Sequence, residues 1–150
     1  MFESCRLNGS SHHTTALIAC ELRGSTLFDS SWEGCKLTGT SFSRCTLRPM
    51  RVLGGQWRSV SLRGADLTRL DLSGLDLREA DLADAVLRDV VLRGADLGGA
   101  TLRQADLAGA DLVGARLEGS DLASARLART RLDLAAAILL AEQAGGIVEA

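Results

Sequence analysis

The chain has no Tyr, one Pro, two His and only 3% aromatic residues, and neither sign of charge prevails across its 150 residues, whose formal net charge is −2. Each shortage excludes something. A near-neutral balance carries neither the footprint of a polyanion binder nor an acidic tail. So few aromatics leave no stacking platform for single-stranded nucleic acid. No run of about 18 apolar residues occurs and no apolar h-region follows Met1, so neither a membrane span nor a secretory leader is expected, and a cytoplasmic protein is. The Cys residues, Cys5, Cys20, Cys35 and Cys45, are spaced by multiples of five rather than in the short pairs of a zinc site, and read as core filler. His12 and His13 are adjacent, so on an extended segment one faces inward and the other outward, and they do not chelate together. No carboxylate pair, Ser-His-Asp spacing or phosphate-type Gly loop is present either. No catalytic residue, metal, cofactor or small-molecule substrate is expected.

What is present is a period of five. Leu62, Leu67, Leu72, Leu77, Leu82, Leu87, Leu92, Leu97, Leu102, Leu107, Leu112 and Leu117 recur without interruption. The same central slot extends back to Phe2 and on to Leu132, and is filled by Leu except at Phe2, His12, Trp32, Phe42, Val52 and Trp57. An α-helix does not suit this spacing, because five residues advance about 500° and the Leu side chains would spiral round it. A flat strand does not either, because an odd step flips each side chain to the other face. The chain must turn a corner between one centre and the next.

The neighbouring slots agree. Two residues before the centre the side chain is mostly small, Ala in Ala65, Ala80, Ala85, Ala95 and others, and Cys, Ser or Thr at most of the rest. It points the same way as the centre on an extended segment, so both face inward. Two residues after the centre Gly is frequent, as in Gly64, Gly74, Gly94, Gly109 and Gly119, where it tolerates turn dihedrals. Each pentad is then one short side and a corner, four sides close a square, and squares stack at about 4.8 Å into a rod roughly 30 Å long. The expected core is the ladder of Leu just named.

The wording "ADLTR", "ADLGG", "ADLAG" and "ADLVG" resembles the pentapeptide-repeat family over residues 1 to 132. The resemblance implies an all-β solenoid, a right-handed quadrilateral β-helix. Two stretches, "CTLRPMRVLGG" (45–55) and "LREADLADAVLRDVVLRGADLGGA" (77–100), are similar to the gyrase-binding MfpA/Qnr group of quinolone-resistance proteins. So are His12 at an inward centre and the "RLDL" of 131–134 leading into an Ala-rich segment. Relative to that group the rod starts several sides late, and no Qnr-type loop insertion breaks the register. The resemblance implies a non-enzymatic, DNA-mimicking binder of DNA gyrase that inhibits the enzyme or protects it from quinolone-type poisons. It also implies a homodimer joined at the C-terminal ends, with no direct nucleic-acid or membrane contact. The residues leave open an alternative, a structural or adaptor rod with another protein partner.

Two regions bear on that choice. Beyond Leu132 the period stops, and residues 133–150 form a separate C-terminal cap and tail. Asp133 can N-cap a helix over about 134–144, with Gly145 ending it. Leu134, Ile138, Leu139 and Leu140 spread round that helix, so one face closes the rod and the other is expected to form the dimer interface. The second region is the Asp that often precedes the centre. It either bonds local backbone and keeps the rod soluble, or imitates DNA phosphates. No side of the square is strongly acidic, so imitation must be local: Asp71 and Asp111 on the third side, or Asp81, Asp84 and Asp121 on the first. Direct DNA binding through Arg88, Arg126 and Arg129 on the second side has only Phe28 as an interleaved aromatic.

Overall fold

Residues twenty apart lie side by side. The computed structural model, which describes residues 1–149, pairs β1 (Phe2–Glu3) with β3 (Glu21–Arg23) and β3 with β5 (Ser41–Ser43). A second sheet runs β2 (Ser11–His13), β4 (Ser30–Lys36), β6 (Met50–Gln56). Both are parallel, with Phe2 beside Leu22 beside Phe42 and Ser11 beside Ser31 beside Arg51. From Ser61 onward each side shortens to a single parallel bridge, as between Asp81 and Thr101 or Asp106 and Arg126. The architecture is a right-handed quadrilateral β-helix closed by one short α-helix.

The ladder repeats one bonding rule. A centre donates its N–H to the next coil, Leu62 N to Asp81 O at 2.9 Å, and the residue before a centre donates back, Asp81 N to Val60 O at 2.9 Å. A third bond, such as Ala80 N to Leu77 O at 3.1 Å, closes each corner. Leu62 through Leu112 are all within 0–1% exposed and Leu117 is 3% exposed, with Ala80, Ala85, Ala95, Ala105 and Ala110 sealing the corners between them. Each such Leu contributes about 1.5–3 kcal/mol on burial, so the stacked columns supply the main stabilisation.

The corners differ from the Gly-based expectation. Every residue two after a centre, from Ser4 to Arg129, has a positive φ except Pro49 and Ser124, and half of these residues are not Gly. Arg69 (φ 64) and Glu79 (φ 59) are examples. The left-handed turn costs a side chain about 1–2 kcal/mol. It is held because the corner amide bonds the next coil, Arg69 N to Arg88 O and Glu79 N to Gly98 O, both at 2.9 Å.

The ring nitrogens of two inward centres, Trp32 and His12, are served by the Ser two positions earlier. Ser30 Oγ donates to Leu27 O (2.6 Å) and accepts from Trp32 Nε1 (2.9 Å). Ser10 Oγ likewise donates to Leu7 O (2.6 Å), so its 2.9 Å contact with His12 Nε2 makes that ring nitrogen the donor. The His12 ring stacks on Trp32 with centroids 4.0 Å apart, and burial holds it below its ordinary pKa, neutral. Trp57 has Gly55 where those centres have Ser, and among the described residues its buried Nε1 has no partner. The four Cys are free thiols along the corners, each donating to the carbonyl two residues before it.

The rod ends in a short 3-10 turn (Leu122–Ser124) and α1 (Leu134–Gln143). Asp133 caps α1 by accepting from Ala136 N (2.9 Å), while its other oxygen accepts from Gly114 N (2.8 Å), which ties helix to rod. Those two backbone bonds hold its carboxyl below the usual carboxylate range. At the far end Gln143 Oε1 accepts from Ala123 N (2.8 Å) and Gln143 Nε2 donates to Ser120 O. Ala136, 3% exposed, lies in the core, with Leu139 and Leu140 packed against it.

Candidate functional site

The Asp before a centre makes a short turn of its own. Its Oδ1 accepts from the amide two residues on: Asp66 from Thr68 N, Asp71 from Ser73 N, Asp81 from Ala83 N, Asp96 from Gly98 N, Asp106 from Ala108 N and Asp111 from Val113 N, at 3.0–3.1 Å. The carboxylate thus supports its own corner, although pentads with Val86 or Val91 in that slot turn the same corner without it.

What remains on the second oxygen differs from side to side. On the second and third sides Arg takes it: Arg88 Nε lies 2.6 Å from Asp106 Oδ2 and Arg93 Nε 2.6 Å from Asp111 Oδ2, with Arg131 at 3.7 Å. Asp111 is 9% exposed, so its carboxylate is not offered to a partner; the coil below places Arg131 directly under it. Burial opposes ionisation of Asp111, but the Val113 amide, Arg93 and Arg131 together keep it below the ordinary carboxylate value. On the fourth side Arg78 grips Asp76 (2.7 Å) and Arg58 grips Glu79 (2.7 Å), and each guanidinium lowers its carboxyl's pKa.

The first side is left freer. Asp81 meets no cation within ion-pair distance among the described residues, and neither does Asp121, which accepts from Leu102 N. Asp84 is exposed at a left-handed corner, with Arg63 at 4.0 Å. Asp81 bridges Thr101, and Asp121 holds the same slot one coil further on, where its Oδ1 accepts from Leu102 N in place of a backbone bridge. Asp71 also keeps one oxygen without a cation but stands alone on the third side. Of the five candidate carboxylates, Asp81, Asp84 and Asp121 share a face, Asp71 lies apart and Asp111 is neutralised. Asp89, two after a centre like Asp84 and in the same coil, is an exposed corner residue on the second side. Arg126 and Arg129 are exposed on the second side, but Arg88 is occupied by Asp106. Among the described residues no three His, Cys, Asp or Glu side chains gather as a metal site. No helix among those residues is long and apolar enough to cross a membrane.

The helix residues separate in the same way. Leu139 and Leu140 pack on the end of the core, whereas Leu134 is 77% exposed. Ile138 lines a shallow groove of about 220 Å³ with Ala115, Leu117 and Leu139. Of the four, only Leu134 is fully outward; Ile138 is half-buried at the edge of the groove and is not packed on the core as Leu139 and Leu140 are.

Comparison with known sequences and structures places this geometry. The sequence model of the pentapeptide repeat region matches residues 25–102, and that of pentapeptide repeats, in eight copies, matches 85–122 and 102–135. No curated protein sequence matches. Among solved structures, a full-length plasmid-mediated fluoroquinolone resistance protein, QnrB1, is similar at 17% identity and TM-score 0.40 over 95% of this chain and 98% of that one. A pentapeptide repeat protein of the cyanobacterium Cyanothece is similar at 19% identity and TM-score 0.36, over 87% of this chain and 90% of that one. One from the Arabidopsis thaliana thylakoid lumen is similar at 24% and 0.38, over 96% and 79%.

Proposed function

We propose, for a chain that belongs to the pentapeptide-repeat family, that it is a non-enzymatic cytoplasmic binder of DNA gyrase or a related type II topoisomerase. As a homodimer joined through α1 it occupies the enzyme's DNA-binding saddle, and so inhibits supercoiling or displaces a quinolone-type poison. The observation that carries this reading is the trio Asp81, Asp84 and Asp121 on one face, where the nearest guanidinium is Arg63 at 4.0 Å from Asp84, while on the other sides Asp106, Asp111, Asp76 and Glu79 are held closely by Arg. The wording of segments 45–55 and 77–100, similar to gyrase-binding members, supports it.

The imitation is local. B-DNA carries a charge about every 1.7 Å of its axis, whereas this chain has a net charge of −2 in all. Contact then depends on three carboxylates rather than on a broad field. Gyrase supercoiling should be inhibited by the purified protein, or drug-induced cleavage relieved, and the effect should weaken as salt rises. Replacing Asp81, Asp84 and Asp121 by Asn keeps most of the shape and should lower affinity at least about tenfold; unchanged affinity in the triple variant sinks the phosphate imitation. The extensive Asp–Arg pairing elsewhere favours one second reading, an adaptor rod for another protein. No effect on gyrase at micromolar protein would select it.

A further inference from the structure

One column of corners holds Gly9, Asp29, Pro49, Arg69, Asp89, Gly109 and Arg129. Six of them take a positive φ, from 52° to 71°. Pro49 does not, because its ring fixes φ near −65°. Two consequences follow in the hydrogen bonding. At Gly9, Arg69, Asp89 and Gly109 of this column the corner amide donates to the carbonyl nineteen residues on, Gly9 N to Phe28 O and Arg69 N to Arg88 O among them. Asp29 N instead reaches Pro49 O (2.7 Å), one carbonyl late. And Pro49, lacking an N–H, donates nothing to Thr68 O, the acceptor the rule assigns to it. The ladder to the next coil is open along this stretch, since the amides of Arg44, Leu47, Val52 and Gly54 and those of Asp66 and Asp71 make no backbone bond across it either.

A cleft of about 520 Å³ lies along it, lined by Thr46, Arg48, Pro49, Asp66, Thr68 and Arg69. The volume falls within the range of small-ligand sites. Its apolar floor is sealed, Leu47, Met50 and Leu70 being 2%, 8% and 4% exposed. Its charged groups are partly fixed. Asp66 accepts from the amide (3.1 Å) and hydroxyl (2.6 Å) of Thr68 and pairs with Arg48 (2.9 Å), so its carboxylate is spent on orienting that guanidinium. Burial resists the charge on Asp66, yet these partners hold its carboxyl below the ordinary range. Arg69 has no carboxylate within ion-pair distance among the described residues, and the Thr46 hydroxyl forms no hydrogen bond there. Cationic and hydroxyl donors thus come from two successive coils beside the carbonyl of Thr68, one of those left unserved where the coils part.

We infer that this cleft binds a small phosphomonoester that also carries a hydroxyl, the phosphate held by Arg48, Arg69 and Thr46 and the hydroxyl donating to Thr68 O. Donors drawn from two coils suit the three oxygens of a phosphate better than the two coplanar oxygens of a carboxylate. The site is independent of the gyrase reading, since it lies on the second side and uses none of the first-side carboxylates.

The test uses the full chain with glycerol 3-phosphate as probe and inorganic phosphate and glycerol as references, read by the NMR shifts of arginine Nε–H groups. Glycerol 3-phosphate should move Arg48 and Arg69 saturably while Arg103 and Arg126 stay still. Inorganic phosphate should bind the same site more weakly and glycerol should not bind. Arg69→Ala, which removes no ion pair, should weaken binding about tenfold, and Arg103→Ala should not change it. Pro49→Gly restores both the left-handed corner and an N–H for Thr68 O, and should reduce glycerol 3-phosphate to the level of inorganic phosphate. Shifts that never saturate, that spread equally over all Arg, or that survive Arg69→Ala at full affinity would overturn the site. Full affinity in a folded Pro49→Gly protein would overturn the role of the open ladder.

Discussion

Gly55 and Gly64 look alike in the sequence, each a Gly beside a strongly periodic stretch, yet the structure gives them opposite importance. Gly64 turns a corner at φ 67 with nothing near the place of a Cβ, and several non-Gly residues already occupy such corners. Gly55 stands two before a centre at φ 131, where a Cβ would sit 2.6 Å from Cys35 O and 3.3 Å from Trp57 Nε1. Backbone cannot yield there as a side chain can. Gly64→Ala should therefore cost about 1–2 kcal/mol, and Gly55→Ala about 3 kcal/mol, measured by urea midpoint; equal losses would contradict the packing of Trp57 against that backbone. The inward slots were legible because burial imposes a period on them. The fate of each Asp was not: Asp81 and Asp111 occupy the same slot in the repeat, but Arg93 turns onto Asp111 with Arg131 below it, whereas Arg63 turns to Asp84 and Thr101 lies below Asp81.

The helix α1 shows the same limit at the level of an element. Its start could be read from Asp133 and its Ala-rich run, since capping and propensity are local. Its docking could not. Gln143 reaches back to Ala123 and Ser120 at the 3-10 turn, and Asp133 to Gly114, and no local pattern pairs those residues. These bonds turn Leu139 and Leu140 onto the rod, leave Leu134 outward and set Ile138 at the edge of the groove. The double change Leu134→Glu and Ile138→Glu should give a monomer by light scattering with helix content unchanged. A dimer that persists would remove α1 as its contact. Glu at Leu139 or Leu140 would instead strike the cap and confuse dissociation with unfolding.

For the molecule as a whole, stability is a sum of similar layers, each coil touching chiefly the one before and the one after. No residue is inserted or lost in the period from Phe2 to Leu132, so position along the chain also fixes direction around the axis. The rod behaves as an indexing wheel advanced a quarter turn by every five residues. Deleting Thr101–Ala105 keeps every Leu in its slot but moves Asp121 off the column of Asp81 and into that of Asp96. Deleting Thr101–Ser120 removes a full turn and leaves Asp121 directly below Asp81. Both proteins should fold and melt cooperatively, and only the second should retain first-side binding. In such a molecule the length of a deletion, counted modulo twenty, selects which face the remainder presents, so a family of rods could change partners by slipping phase while the core stays the same.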